Sequence, residues 1–200
     1  TVYDSKGGRI QYYGRSVKDS NGKGYGKISL ARGFELSSNT ILVQSVYDSY
    51  KNNPKQFVDR INSYGLNKPL GLPIKGEGKP VIPQPGTNRW SGVALPWMAF
   101  GYGLSVTPLQ TLTLYNAVAN DGVMVKPIFV SEIKEWNKTI KKFDTQVINP
   151  KICSQETLDK VHAVLENVVK KGTGSKLYSK DFSMAGKTGT AQVNYKDKSQ

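Results

Sequence analysis

The 200-residue chain has one cysteine, one histidine and no apolar run approaching eighteen residues. Cys153 alone can build neither an intrachain disulfide framework nor a multi-cysteine metal site, and it reads as a half-buried thiol rather than a nucleophile. His162 falls off the apolar stripe of the helix predicted around it and reads as a surface residue. Ser-His-Asp chemistry and a His-ligated metal site are thereby excluded. Nothing in these residues is long and apolar enough to span a bilayer, and no signal-peptide pattern opens the chain, so any anchor is expected outside it. Long runs of like charge are also missing, although the net charge is +13. Lys134, Lys138, Lys141 and Lys142 alternate with Glu132, Glu135 and Asp144, which describes a solvated surface rather than a nucleic-acid site. There is no internal repeat or low-complexity tract.

What is present suits one domain large enough to bury about 70% of its unfolded surface. Residues 1 to 27, rich in Gly, Ser, Asp and Lys with interleaved Tyr, predict turns and a short hairpin. A short helix is expected from Ile28 to Phe34. Ser37 to Asn39 then stand where capping residues belong, ahead of a helix through Ile41, Leu42, Val46 and Tyr50. Pro54 opens the next helix, with Phe57, Val58, Ile61 and Tyr64 as its buried stripe and Gly65 as its stop. Leu66 to Trp97, dense in proline and glycine, predicts a long irregular loop. Thr107 and Gln110 form a capping box around Pro108, starting a helix with Leu112, Tyr115, Val118 and Ala119 as apolar positions and ending at Asn120-Asp121-Gly122. Val123 to Ile133 and Thr139 to Val147 read as strands around a turn near Asn137. Ser154 caps a helix through Leu158, Val161, Leu165 and Val168 that Gly172 stops, and Phe182 to Tyr195 reads as a final strand.

The motif Ala185 to Gln192, AGKTGTAQ, admits two chemistries. A phosphate-binding loop would need a glycine five positions before Gly186. That position is Asp181, whose carboxylate would repel phosphate, and no helical pattern follows Thr188. The other reading takes Lys187-Thr188-Gly189 as the last element of a serine acyl-transfer constellation, with Ser37-Ser38-Asn39 as a Ser-x-Asn element before it. Gly101 to Gln110 (GYGLSVTPLQ) and Leu114 to Gly122 (LYNAVANDG) lie between them. With these segments the chain resembles the class B penicillin-binding proteins from about Ser29 to Gln192, and the wording at Phe100 to Gln110 is similar to the division-type transpeptidases.

The resemblance implies an α/β (α+β type) fold, an antiparallel sheet flanked by helices as in serine β-lactamases and D,D-peptidases, here incomplete. It implies that Ser37 passes a proton toward a leaving amine and that Asn39 bridges the substrate acyl chain and a general-base lysine. Lys187 would hold the Ser37 hydroxyl and attract a terminal carboxylate. Thr188 and Thr190 would hydrogen-bond that carboxylate, Gly189 would let a substrate backbone lie alongside, and the Thr190 N–H would be an oxyanion donor. Plain N-capping remains an open alternative for Ser37 and Asn39.

The departure from the family is the nucleophile. Ser20-Asn21-Gly22-Lys23 is poor helix material only seventeen residues before Ser37, and Ser131-Glu132-Ile133-Lys134 follows Ser37 in a predicted strand. A Ser-x-x-Lys helix is therefore expected upstream of Thr1 and more strands beyond Gln200. Residues 1–200 would then be a partial transpeptidase domain, inactive alone. The parent is expected to cross-link D-Ala-D-Ala stem peptides of peptidoglycan outside the cytoplasmic membrane, with no metal or organic cofactor. Its expected partners are stem peptides, β-lactam antibiotics and cell-division membrane proteins, not nucleic acid. The alternatives are a β-lactam sensor or β-lactamase of the same fold, and a non-catalytic division scaffold.

Overall fold

The computed structural model describes residues 1–189. The chain opens with two short antiparallel ladders. β1 (Val2–Asp4) pairs with β4 (Lys27–Ser29), and between them β2 (Arg9–Tyr12) folds onto β3 (Arg15–Lys18). The hairpin turn is Tyr13-Gly14, both at positive φ (50° and 77°), the backbone twist that two-residue hairpins require. The ladder partner of β1 takes Ile28 and Ser29, so the first helix starts later than expected: α1 is Leu30–Glu35, capped by the Ser29 hydroxyl.

α2 (Asn39–Tyr50) follows α1 after three residues, and the two cross so closely that a Cβ on Gly33 would run into the Ile41 side chain. Ile41 and Val43 are fully buried there. α3 (Pro54–Ser63) begins at its proline and buries Val58, and Gly65, at φ 74°, turns the chain out of it as expected. The irregular loop runs through residues 66–93. It folds around the Glu77 carboxylate, which accepts backbone N–H groups from Leu70 and Leu72. Its expected end is a fourth helix instead, α4 (Ala94–Met98), which packs on α2 with four of its five residues buried.

α5 (Pro108–Ala119) carries the expected capping box, with the Gln110 amide accepting from Thr107 N–H and the Thr107 hydroxyl accepting from Gln110 N–H. Its facing differs from the apolar pattern. Leu112 and Tyr115 are 60% and 40% exposed, whereas Gln110, Thr113 and Ala117 are buried. The capping box turns Gln110 inward, where its NH₂ donates to the Lys68 carbonyl (2.8 Å), and the residues three and seven positions on follow it.

The two expected long strands are broken. β5 (Met124–Val125) pairs with β8 (Val147–Asn149), while β6 (Glu132–Glu135) and β7 (Lys138–Lys142) form a separate, fully exposed hairpin turning at Trp136-Asn137. Pro127 has no N–H for a ladder just after β5. α6 (Gln155–Lys171) is capped by Ser154 and ends at Gly172, with Leu158, Leu165, Val168 and Val169 buried. His162 is not a free surface residue. It is half-buried, and its Nε2–H donates to the Val118 carbonyl, joining α6 to α5. Cys153 is half-buried, packed on the cluster of Ala117, Met124 and Ile152.

The fold is thus a mixture of helices with, among the described residues, four two-stranded antiparallel ladders. Phe182 to Gly189 is not a strand. It pairs with no described strand and is tied to α6 by the Gly186 N–H, which donates to the Leu165 carbonyl; residues 190–195 of that expected strand lie outside the described residues.

The facing of α5 is testable by urea unfolding. Gln110→Ala, which orphans the Thr107 N–H and the Lys68 carbonyl, should cost about 1–3 kcal/mol, and Leu112→Ala should stay within about 0.5 kcal/mol of the parent. The reverse ranking would show that the apolar pattern sets the face after all.

Candidate active site

The site begins with the way α1 ends. Leu36 is its last half-helical residue. The Ser37 N–H then donates to the Phe34 carbonyl (3.0 Å) and the Ser38 N–H to the Gly33 carbonyl (2.8 Å). This pair of bonds is the Schellman stop, which needs a left-handed residue at position 37, usually glycine. Here Ser37 adopts φ 55°. Ser38 then caps α2, its hydroxyl accepting from the Ile41 N–H (3.3 Å). Neither Ser37 nor Asn39 is the cap. Both side chains are left for other partners.

Ser37 Oγ accepts from the Lys187 ammonium, 150 residues further along the chain, and lies 3.2 Å from Thr188 Oγ1 and 3.3 Å from Thr173 Oγ1. The two threonine hydroxyls are 2.6 Å apart. Lys187 also donates to the Thr188 carbonyl (3.1 Å) and stands 5.5 Å from the Phe34 ring centre. Burial pulls the Lys187 pKa below the usual lysine value. Among the described residues no carboxylate pairs with it. A partly desolvated, unpaired ammonium beside three hydroxyls is built to receive an anion. Asn39 donates through Nδ2 to the Lys18 carbonyl at the end of β3 (2.8 Å).

These groups face one cleft of about 770 Å³, which Ser37, Asn39, Lys187, Thr188 and Gly189 all line. Trp97 and Phe100 form its aromatic wall, their rings edge to face at 5.8 Å. Thr190 lies outside the described residues. Sequence reasoning missed Thr173 and Trp97. Thr173 reaches the site because its N–H donates to the Glu35 carbonyl (3.1 Å). Gly172 beside it leaves no room for a Cβ against that carbonyl and Val168. The only local signal was a helix-ending glycine. Of the two Ser-x-x-Lys spacings, Ser20 to Lys23 lies in a turn, with Ser20 at the cleft, and Ser131 to Lys134 runs into β6, so neither sets serine and lysine one helical turn apart.

The model of the penicillin binding protein transpeptidase domain matches residues 1–200. The chain belongs to the penicillin-binding protein transpeptidase family. It is 31% identical over 194 residues to the penicillin-binding protein PbpB of Mycobacterium tuberculosis, covering 92% of this chain and 27% of that protein. It is 32% identical over 136 residues to the peptidoglycan D,D-transpeptidase FtsI of Escherichia coli, covering 68% and 21%. Stage V sporulation protein D of Bacillus subtilis is 33% identical over 137 residues, 66% of this chain and 20% of that one. The chain therefore spans between a fifth and about a quarter of the length of these relatives. Among solved structures it resembles the D,D-transpeptidase domain from Eggerthella lenta (TM-score 0.82, 25% identity, 98% of this chain and 49% of that one). It is also similar to penicillin-binding protein 3 of Mycobacterium tuberculosis solved with aztreonam (TM-score 0.74, 29% identity, 93% and 42%).

Two measurements probe this arrangement. Ser37→Gly and Ser37→Ala both delete the hydroxyl, but only glycine relieves the left-handed backbone. The glycine variant should unfold at higher urea, by about 0.5–1 kcal/mol; equal midpoints would mean that the left-handed turn stores no strain. For Lys187 the folded pKa lies below the unfolded one, so between the two the unfolded chain holds more protons. Stability should rise as pH climbs from that lowered value toward about 10.4, and Lys187→Met should lack this contribution, so that the rise appears in the difference between the two pH series.

Proposed function

We propose that residues 1–200 form part of the catalytic cleft of a peptidoglycan D,D-transpeptidase, a partial transpeptidase domain acting through a serine acyl-enzyme. The observation that carries this reading is the meeting of Ser37 and Lys187 in one cleft, with Asn39 and Thr188 on its walls. The nucleophile is a Ser-x-x-Lys serine outside these residues, since neither internal spacing offers the pair on one helical face. The small share of each relative that the chain spans supports the same view.

In this reading the terminal carboxylate of a D-Ala-D-Ala stem peptide binds against the Lys187 ammonium and the Thr188 hydroxyl, with Thr190 as a further donor. Gly189 carries no side chain, so the peptide backbone can lie along it. The Asn39 amide exchanges its bond to the Lys18 carbonyl for the acyl chain. The serine oxygen adds to the penultimate carbonyl as its proton passes to the lysine of the same Ser-x-x-Lys pair; the departing amine of D-Ala takes a proton from the Ser37 hydroxyl, which that lysine's ammonium replaces. Ser37 suits that role because a hydroxyl both donates and accepts. An acceptor amine then adds to the ester carbonyl, the C–O bond to the serine breaks, the amine's proton returns to the serine oxygen, and the cross-link forms. The lysine beside Ser37 raises the acidity of that hydroxyl and holds it in place.

β-Lactams fit the same path, because ring opening leaves their amine tethered. The similarity to a penicillin-binding protein solved with aztreonam supports their inclusion as ligands. Similarity to FtsI and to stage V sporulation protein D supports a division-type role with membrane-protein partners, at the extracytoplasmic face of the cytoplasmic membrane. No helix among the described residues is long and apolar enough to cross a membrane, so the anchor in this proposal is a further segment.

A fluorescent penicillin provides the test. The intact protein should take up one label per molecule and hold it through denaturation, Lys187→Ala should slow labelling by about 10²-fold or more, and the 200-residue chain should take up none. Stoichiometric labelling of the short chain would place the nucleophile inside it. Rapid turnover of penicillin by the intact protein would make it a hydrolase, and no labelling at all would leave a scaffold.

A further inference from the structure

Asp19 is buried, 3% exposed, on the turn that follows β3, and no cation pairs with it among the described residues. An isolated carboxylate in that position is costly unless hydrogen bonds replace its water. Among the described residues, the partners of its side chain belong to one short segment. The Ser38 hydroxyl donates to both of its oxygens (3.1 Å each), the Thr40 N–H donates to Oδ1 (2.9 Å) and the Thr40 hydroxyl to Oδ2 (2.9 Å). Ser38 and Thr40 flank Asn39, and Ser38 follows Ser37. The carboxylate therefore grips the inner side of the first turn of α2, where free N–H groups and the helix dipole favour an anion. Its chain neighbour Lys18 accepts from Asn39 Nδ2 on the outer side. The Asp19 main chain is anchored as well, its N–H donating to the Gly8 carbonyl (2.9 Å).

We infer that Asp19 is a positioning residue of the acyl-transfer site, an internal anion that fixes Ser38 and Thr40 so that the Ser37 hydroxyl and the Asn39 amide are presented together to the cleft. The inference rests on the transpeptidase reading given above. Asp19 touches no reacting atom. Without its three donors satisfied, the first turn of α2 can rotate or fray, and a displacement of about 1 Å at the proton-passing hydroxyl is enough to cost orders of magnitude in rate. A carboxylate suits this place because the Thr40 N–H and both hydroxyls donate to it. An amide at the same position, its oxygen kept on the Thr40 N–H, would turn its NH₂ toward the Thr40 and Ser38 hydroxyls, which would have to reverse from donating to accepting.

The test uses the intact protein and fluorescent penicillin, following both the rate constant and the final amount of label. Asp19→Asn should lower the second-order labelling rate about tenfold to a hundredfold while nearly every molecule is eventually labelled. Thr40→Val, which deletes one donor to Oδ2 and keeps the side-chain shape, should slow labelling by a smaller factor. It gives a second reading if the first variant folds poorly. A merely structural role gives another signature: a reduced amount of label that forms at the parent rate. That result, or parent-like rate and amount in both variants, overturns the inference and leaves the transpeptidase reading intact. An unlabelled parent protein overturns both.

Discussion

The left-handed backbone at Ser37 is the constraint on which the rest of the site depends. α1 and α2 meet at a corner where Gly33 lies against Ile41, and the close crossing allows only a three-residue connection. A connection that short must reverse through a Schellman stop, and that stop places its C′ residue at positive φ. Glycine would be the relaxed choice. A serine there accepts strain of about 1 kcal/mol and gains a hydroxyl whose position is set by two helix ends rather than by a flexible loop. Pre-set geometry of this kind is what proton transfer and charge stabilisation require, because nothing has to be reorganised when the reaction occurs.

The partner of that hydroxyl arrives by a different physical route. Lys187 belongs to a segment with no strand partner among the described residues, tied to α6 through Gly186 and brought over the α1 corner. There the ammonium loses part of its hydration and gains hydroxyls, a carbonyl and an aromatic face, but no carboxylate among the described residues. An internal counter-ion would have stabilised the ammonium and left it less able to attract a further anion. The same trade appears at Thr173, delivered by a backbone bond to Glu35, whose own carboxylate is buried against Arg32 at 2.9 Å. The charged pair sits behind the site and the uncharged hydroxyl faces it.

How much of this was legible in the sequence follows from the range of the interactions. The capping box at Thr107 and Gln110, the Ser154 cap, the Pro54 start and the turn at Trp136-Asn137 are settled within four residues, and each forms where its residues say. Ser37, Asn39, Lys187 and Thr188 were also legible, through motif spacing, and all four line the cleft. Tertiary choices were not. Apolar periodicity gave α5 the wrong face, because a buried glutamine serving two loop carbonyls outweighed Leu112. His162 looked free until the Val118 carbonyl of another helix reached it. α4 hides in a proline-rich stretch because Pro96 sits in its first turn, where a missing N–H costs nothing. Thr173 carries no motif, and only its bond to a residue 138 positions earlier, through Glu35, marks it.

The capping alternative for Ser-Ser-Asn resolves into a division of labour within the tripeptide. At a helix N-terminus, the residue before the cap, the cap and the first helical residue cannot all point the same way. The cap must turn inward to meet the exposed N–H groups, which leaves its two neighbours outward. Ser38 takes the inward place, bonded to the Ile41 N–H and to Asp19. Ser37 and Asn39 are thereby both released to the cleft, one aimed at Lys187 and the other at the Lys18 carbonyl. A Ser-x-Asn spacing is therefore a geometric consequence of putting two polar groups on one side of a helix start. The middle residue carries the fold, and the outer two are free for chemistry because it does.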